Sequence, residues 1–140
     1  MPRCVDCIAE GITTNRPTPH GGPRSPRCAT HYRARKAAQK AARQAAHVER
    51  TYSLTEAQYQ ALLAAQGGEC AGGCGAKGRS KRLAVDHDHQ CCPGPVSCGQ
   101  CVRGLLCTRC NRYLGTIHDN PDALRRLADY LENPPAKRVL

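Results

Sequence analysis

The 140-residue sequence has no tryptophan and no phenylalanine, one methionine and only five tyrosines. Much of its apolar fraction is alanine and cysteine, so it cannot build a conventional aromatic and aliphatic core. A chain of this length holds one domain, or one small domain with an appendage. Such a thin core needs staples, and metals or disulfides are the ones at hand. Long apolar runs are missing as well. No stretch approaches the ~20 residues of a membrane span, and MPRCVDCIAEG at the N-terminus lacks the apolar run of a secretory signal. Acidic residues are scarce: eleven Asp and Glu face 21 Lys and Arg, for a formal net charge of +10. Together these absences predict a cytoplasmic protein with no membrane association and an anionic partner.

Cysteine is abundant instead. Eleven are present, an odd number, grouped as CxxC and CxxxC pairs with histidines nearby. That pattern fits a reduced, zinc-bound protein better than a secreted disulfide scaffold. The organising stretch runs from Glu69 to Tyr113. Cys70/Cys74 and Cys107/Cys110 bracket an Asp86-His87-Asp88-His89 run, and Asn111 follows the second pair at once. Four thiolates in two close pairs are the usual ligands of a structural zinc ion, and closing them brings Asp86–His89 towards Asn111. A second set, Cys4, Cys7, Cys28 and His31, offers a Cys3His site whose metal would pin the ends of a Pro- and Gly-rich loop. The bland alternative is free cysteines in a disordered tail. A third set, Cys91, Cys92, Cys98 and Cys101, is a further zinc candidate, with reduced thiols or a local disulfide as alternatives. Adjacent cysteines crowd a single metal. Two or three structural zinc ions are therefore expected, and no small-molecule cofactor.

The positive charge is concentrated towards the N-terminus, where residues 1–51 hold ten Lys and Arg against three Asp and Glu. Residues 32–51 are rich in Ala, Arg, Lys and Gln without Gly or Pro, and predict a helix. Arg33, Lys36, Lys40 and Arg43 recur on one side of it as a cationic stripe. The stripe reads equally as a solvated linker and as a surface laid against nucleic-acid phosphates. The opposite alanine face has no bulky anchors for a membrane surface.

Thr55-x-x-Gln58 is a capping box, and Gly67-Gly68 would end the helix it starts. Leu83 and Val85 alternate as in a strand that delivers Asp86 at its end, and Cys101–Cys107 reads as the return strand of a hairpin. Asn120-Pro121 opens a last helix with Leu124, Leu127, Ala128 and Leu131 on one face, expected to pack on the hairpin. The predicted plan is an N-terminal Cys3His zinc module over 1–33, a basic helical linker over 34–51 and a main domain over 52–135. Its fold class is a small α+β, zinc-stapled ββα unit.

The Asp-His-Asp-His run is not an EF-hand loop, because Cys91 and Ser97 stand where glycine and glutamate are needed. Four cysteines already satisfy one zinc, which leaves the histidines spare. Ordinary surface residues are the weakest option for two Asp and two His alternating at a strand end between two zinc-ligand pairs, and a catalytic site remains. A carboxylate binds magnesium through oxygen, and a neighbouring imidazole takes a proton from water near neutral pH. Phosphodiester hydrolysis needs both, plus cations for the phosphate, and Arg82, Arg103, Arg109 and Arg112 are the candidates.

Leu83-Ala-Val-Asp-His-Asp-His89, followed by Arg103-Gly-Leu-Leu-Cys-Thr-Arg-Cys-Asn111, resembles the phage recombination endonuclease VII family of the His-Me finger (HNH) nucleases, over about residues 52–132. The resemblance implies a Mg²⁺-dependent DNA endonuclease, phage or prophage encoded and acting in a bacterial cytoplasm. Cys70, Cys74, Cys107 and Cys110 would hold structural zinc, and Asp86 and Asn111 a single catalytic magnesium. His87 would be the general base and His89 would orient the phosphate. Products would carry a 5′-phosphate and a 3′-hydroxyl. The family's prototype has an acidic residue soon after the Asn, where this chain has Leu114, and a helical dimerisation region without clear counterpart here. Branched DNA and a homodimer are accordingly family expectations. A looser nicking HNH nuclease, a non-catalytic zinc DNA-binding protein and an RNA-processing nuclease are the rival readings.

Overall fold

Too few large apolar side chains are available for a single core, and the chain folds around two separate ones. The computed structural model describes residues 3–14, 16–18, 20–22, 24–78 and 81–139. It divides into two units, Met1–Arg50 and Thr51–Leu140.

The first unit has α1 (Val5–Ala9) and most of α2 (Ala29–Tyr52). Its buried cluster is made of cysteine alone, Cys4, Cys7 and Cys28, with Ile12 packed against it. The loop between the two helices is folded over these thiols by backbone bonds, Val5 N–H to Pro26 O (3.1 Å) and His20 N–H to Arg27 O (2.9 Å). Arg27 closes it further with an ion pair to Asp6 (2.7 Å). The helix expected over 32–51 begins earlier, at Ala29, so that His31 stands in its first turn just after Cys28. Arg33, Lys36, Lys40 and Arg43 are exposed along it.

The second unit holds a conventional, though small, core of Leu54, Tyr59, Leu83, Val85, Leu105 and Leu106. Helix α3 (Glu56–Ala65) starts with the expected capping box: Thr55 Oγ1 accepts from Gln58 N–H (3.2 Å), and Thr55 N–H donates to Gln58 Oε1 (2.9 Å). Tyr59 on this helix is 2% exposed, and its hydroxyl donates to Leu83 O (2.9 Å), fixing the helix to the start of the strand region.

Strands β1 (Ala84–His87) and β2 (Val102–Leu106) form a two-stranded antiparallel sheet. Asp86 pairs with Gly104 but His87 pairs with Val102, so Arg103 is the extra residue of a bulge beside the Asp-His pair. Bulges re-aim side chains, and this one lies beside the chemistry-bearing residues. Gln66, just past α3, serves β2 as a side-chain strand. Its Oε1 accepts from Leu105 N–H (2.8 Å) and its Nε2 donates to Leu105 O (3.0 Å) and Glu69 O (2.9 Å). These bonds satisfy buried backbone groups that a lone hairpin would leave bare.

The helix that packs on both strands is α4 (Thr108–Thr116), at positions that sequence periodicity leaves as a short apolar stretch. The expectation that the Asn120 helix would cover the hairpin is corrected accordingly. That helix, α5 (Pro121–Glu132), is capped by Asn120 with proline at its start as expected. Its Leu124, Leu127, Tyr130 and Leu131 nevertheless remain substantially exposed. A short 3-10 turn, Pro135–Arg138, follows. Among the described residues no helix is long and apolar enough to cross a membrane.

Candidate functional site

Three groups of potential metal ligands assemble, the three sets expected: Cys4, Cys7, Cys28 and His31; Cys70, Cys74, Cys107 and Cys110; Cys91, Cys92, Cys98 and Cys101. In each, the ligand atoms lie within 4.8 Å of one another. Thiolates bound at about 2.3 Å to one tetrahedral zinc ion must sit about 3.8 Å apart. Cys7 and Cys28 Sγ are 3.9 Å apart and Cys74 and Cys107 Sγ 3.7 Å. The donor sets and their spacing thus fit zinc.

In the first group His31 turns Nδ1 towards Cys4 (3.2 Å), Cys7 (3.4 Å) and Cys28 (3.5 Å). Its Nε2 meets Glu10 Oε2 at 2.9 Å. A carboxylate behind a ligating imidazole fixes the ring and strengthens its basicity. Glu10 is therefore a supporting residue that spacing rules alone do not reveal.

In the second group Cys70 and Cys74 lie on a turn closed by Cys70 N–H to Ala76 O (2.8 Å), while Cys107 caps α4 and Cys110 lies in its first turn. Backbone N–H groups point at the sulfurs, Cys107 N–H to Cys70 Sγ (3.2 Å) and Cys110 N–H to Cys107 Sγ (3.4 Å). The latter, helped by the neighbouring thiols, lowers the Cys107 thiol to about 6. Gly72 is required here, since a Cβ would stand 2.9 Å from Cys110 Sγ.

Without metal the thiols cannot all ionise. The Cys74 side chain, burial and Cys107 push Cys110 up to about 12, and burial together with Cys4 and Cys28 pushes Cys7 up to about 11. Zinc takes thiolates. Zinc uptake by the chelator-stripped protein at pH 7.5 should therefore release at least one proton per ion, and binding should tighten as pH rises. Proton counting with an indicator dye checks this, and uptake without release would remove these thiols as ligands.

A polar cluster lies at the end of β1. Asp86 and His87 are both buried, 6% and 5% exposed, on opposite faces of the strand as its pleat requires. Arg103, lifted by the bulge, grips Asp86 with two bonds, Nε to Oδ2 (2.7 Å) and Nη2 to Oδ1 (3.1 Å). The same Nη2 donates to Asp119 Oδ2 (2.9 Å). Asp86 first, then Asp119, raise the Arg103 pKa above its ordinary value against the opposing effect of burial. Burial pushes the Asp119 carboxyl up, but Arg103 and His89 outweigh it and hold it low. Asp119 also meets His89 Nδ1 at 3.3 Å. The His87 and His89 rings lie 4.5 Å apart, centre to centre, and Tyr52 flanks His87 at 5.9 Å. Beside these groups a cleft of about 300 Å³ is lined by Gly72, Asp86, Arg103, Leu114, Asp119 and Leu124, among others.

Asp86, His87 and His89 are thus gathered together with Arg103. Asn111 is half-buried in the first turn of α4, where its N–H bonds Cys107 O (3.0 Å) and its side chain makes no hydrogen bond among the described residues. Arg109 and Arg112 are exposed on the same helix. Arg82 is turned inward, paired with Glu56 (2.9 Å) and stacked 3.8 Å from the Tyr59 ring centre, which leaves it engaged in the core.

Asp119 was not singled out by sequence, because it lies beyond α4 at no recognisable spacing from the Asp-His run. Its backbone carries the one available sign. His118 and Asp119 both have positive φ (53° and 54°), a conformation that costs non-glycine residues free energy and gathers at functional sites.

The molecule is thus a small α+β protein that uses thiol clusters as core and joins Asp86 and Asp119 through one cation, Arg103, with His89 bonded to Asp119 and His87 stacked beside His89. The family described as recombination endonuclease VII matches residues 45–133. The chain is 42% identical over 138 residues to the "Gene 59 protein" of Mycobacterium phage D29, covering 98% of this chain and 77% of that protein. It is 39% identical over 138 residues to the "Gene 59 protein" of Mycobacterium phage L5, with the same coverage, 98% and 77%. No solved structure matches. The chain belongs to the recombination endonuclease VII family, which implies a nuclease with DNA as substrate.

Proposed function

We propose that the protein is a Mg²⁺-dependent DNA endonuclease of the HNH type, in which β1, β2 and α4 form the ββα-metal unit around Cys70, Cys74, Cys107 and Cys110. The observation that carries the reading is the sharing of one cation, Arg103, by Asp86 and Asp119 beside the two histidines. The guanidinium supplies positive charge where a divalent ion would neutralise the same carboxylates, so the donor set fits magnesium. Asp86 and Asn111 would hold that ion, and Asp119 offers the acidic group absent from position 114. Bound there, magnesium would supply Lewis-acid stabilisation of the charge that builds on the scissile phosphate and the leaving oxygen.

The chain's own residues do the rest. His87 accepts the proton of the attacking water, and His89, tethered at Asp119, positions the phosphate. Arg109 and Arg112 line the approach of the DNA backbone. Arg33, Lys36, Lys40 and Arg43 on α2 add a salt-sensitive grip on further phosphates. In this arrangement residues 1–33 are an accessory zinc module, 34–51 a basic linker and 52–135 the nuclease domain. A phage enzyme of this kind works on DNA in the host cytoplasm.

The substrate is tested by cleavage of a labelled four-way junction beside its matched linear duplex, with and without Mg²⁺. Magnesium-dependent cutting of the junction alone establishes a resolvase and requires a homodimer presenting two sites. Equal cutting of both establishes a nicking nuclease of looser specificity. Binding of DNA without cutting of either would leave a non-catalytic zinc DNA-binding protein, and cutting of RNA alone would move the substrate to the other nucleic acid.

A further inference from the structure

Within the connection between the strands, the twelve residues 90–101 are not needed to close a hairpin, yet they hold four of the eleven cysteines. Among its side chains only Ser97 is buried (2% exposed), and Val96 is 59% exposed, so apolar burial does not fold it. Its sulfurs nevertheless converge. Cys91 lies 3.9 Å from Cys98 and 4.0 Å from Cys92, and Cys98 lies 3.8 Å from Cys101. Those distances match the roughly 3.8 Å edge of a tetrahedral zinc–thiolate site. The adjacent pair, Cys91 and Cys92, therefore reaches one centre without crowding.

The segment is tied down at its far end and touches one catalytic side chain. Ser97 N–H donates to Thr51 O (2.8 Å), and Ser53 Oγ donates to Ser97 O (3.2 Å). Gly99 passes so close to Ser53 that a Cβ would stand 3.0 Å from its side chain. At the near end, His87 Nε2 lies 3.2 Å from Cys92 O and 3.3 Å from Gly94 O. Carbonyl oxygens only accept, so Nε2 carries a proton, and in the neutral ring Nδ1 then holds the lone pair. No hydrogen bond to His87 Nδ1 is present among the described residues. Cys92 is one of the four converging cysteines and Gly94 lies between Cys92 and Cys98, so an ion held by the four would fix the position of both carbonyls.

We propose that Cys91, Cys92, Cys98 and Cys101 bind a zinc ion that makes residues 90–101 a rigid strap, whose carbonyls at Cys92 and Gly94 hold His87 in the Nε2–H tautomer. His87 thereby presents Nδ1 as the base, which rests on the reading of His87 given above. The cysteines are positioning residues acting through the strap. Outer groups that fix a histidine's tautomer and orientation are worth about 10–100-fold in comparable sites.

The test uses the full chain, as wild type, Cys98→Ser and Cys98→His. Zinc per chain is measured by elemental analysis, and the His87 tautomer by long-range ¹H–¹⁵N correlation. The proposal expects three zinc ions and a single Nε2–H form in the wild type. It expects two ions and a tautomer mixture in Cys98→Ser, with kcat reduced about 10-fold and KM unchanged. Cys98→His, which replaces the thiolate with an imidazole nitrogen that zinc also accepts, should restore the third ion and the tautomer. Two zinc ions in the wild type would overturn the site. A Cys98→Ser protein that loses the ion but keeps the pure Nε2–H form would overturn the strap. Metal count and tautomer are read without turnover, so they decide the proposal even if no substrate is cut. Unchanged kcat with an altered tautomer would uphold the strap and remove His87 as the base.

Discussion

His87→Ala is expected to lower the rate of Mg²⁺-dependent DNA cleavage by about 10²–10⁴-fold, the usual contribution of a general base. The loss should fall on the chemical step alone. Among the described residues His87 has no ion-pair partner, and its hydrogen bonds go to the backbone carbonyls of Cys92 and Gly94. The Cys4/Cys7/Cys28/His31 and Cys70/Cys74/Cys107/Cys110 groups, the Tyr59 anchor and the arginines of α4 share no hydrogen bond or ring contact with His87 among the described residues. DNA affinity and the zinc content of those two groups should therefore match the wild type. Single-turnover cleavage, with binding measured separately in Ca²⁺, makes the comparison. Retained turnover would remove His87 from the mechanism. Equal loss of binding and cleavage would make it a structural residue instead.

Cys107→Ser should have the larger effect on the fold. Cys107 caps α4, accepts from Cys110 N–H, and contributes one of four sulfurs at the seam between the strand pair and that helix. Structural zinc contributes on the order of 10–16 kcal/mol of apparent binding free energy, whereas a domain's net stability is only about 5–15 kcal/mol. The core it supports is a handful of aliphatic side chains and one tyrosine. Weakening the site should therefore unfold Thr51–Leu140, seen as loss of one zinc ion and of cooperative thermal unfolding. The first unit has its own cluster and should keep its zinc and the helicity of α2. A stable, active variant would contradict the four-cysteine site.

What could be read from sequence was what spacing encodes. Cysteine pairs, the Thr55–Gln58 capping box and the Asn120-Pro121 start are local signals, and each corresponds to a feature of the structure. The strand pair was legible because Leu83 and Val85 alternate and the return strand lies between ligand cysteines. Helix α4 was not, because a Gly and a Thr at its end and only nine residues give a weak periodic signal. Its formation comes from Cys107 as cap and from packing on the strands. The polar network was half legible. Asp86 and His87 stand out as a motif, but the bulge at Arg103 and the arrival of Asp119 depend on register and on two left-handed residues. Spacing also does not encode the neighbours of the arginines. Arg82 is drawn inward by Glu56 and Tyr59, and Arg103 by two carboxylates.

The most direct measurement is the chemistry of the cut ends. DNA cleaved by the zinc-loaded protein in Mg²⁺ and ¹⁸O-labelled water should carry one labelled oxygen on a 5′-phosphate, opposite a 3′-hydroxyl. DNA ligase should reseal such ends without pretreatment. That result means water attacked the phosphorus directly, as a base at His87 requires. Unlabelled phosphate, 3′-phosphate ends, or no cut at all would contradict a hydrolytic site at this position.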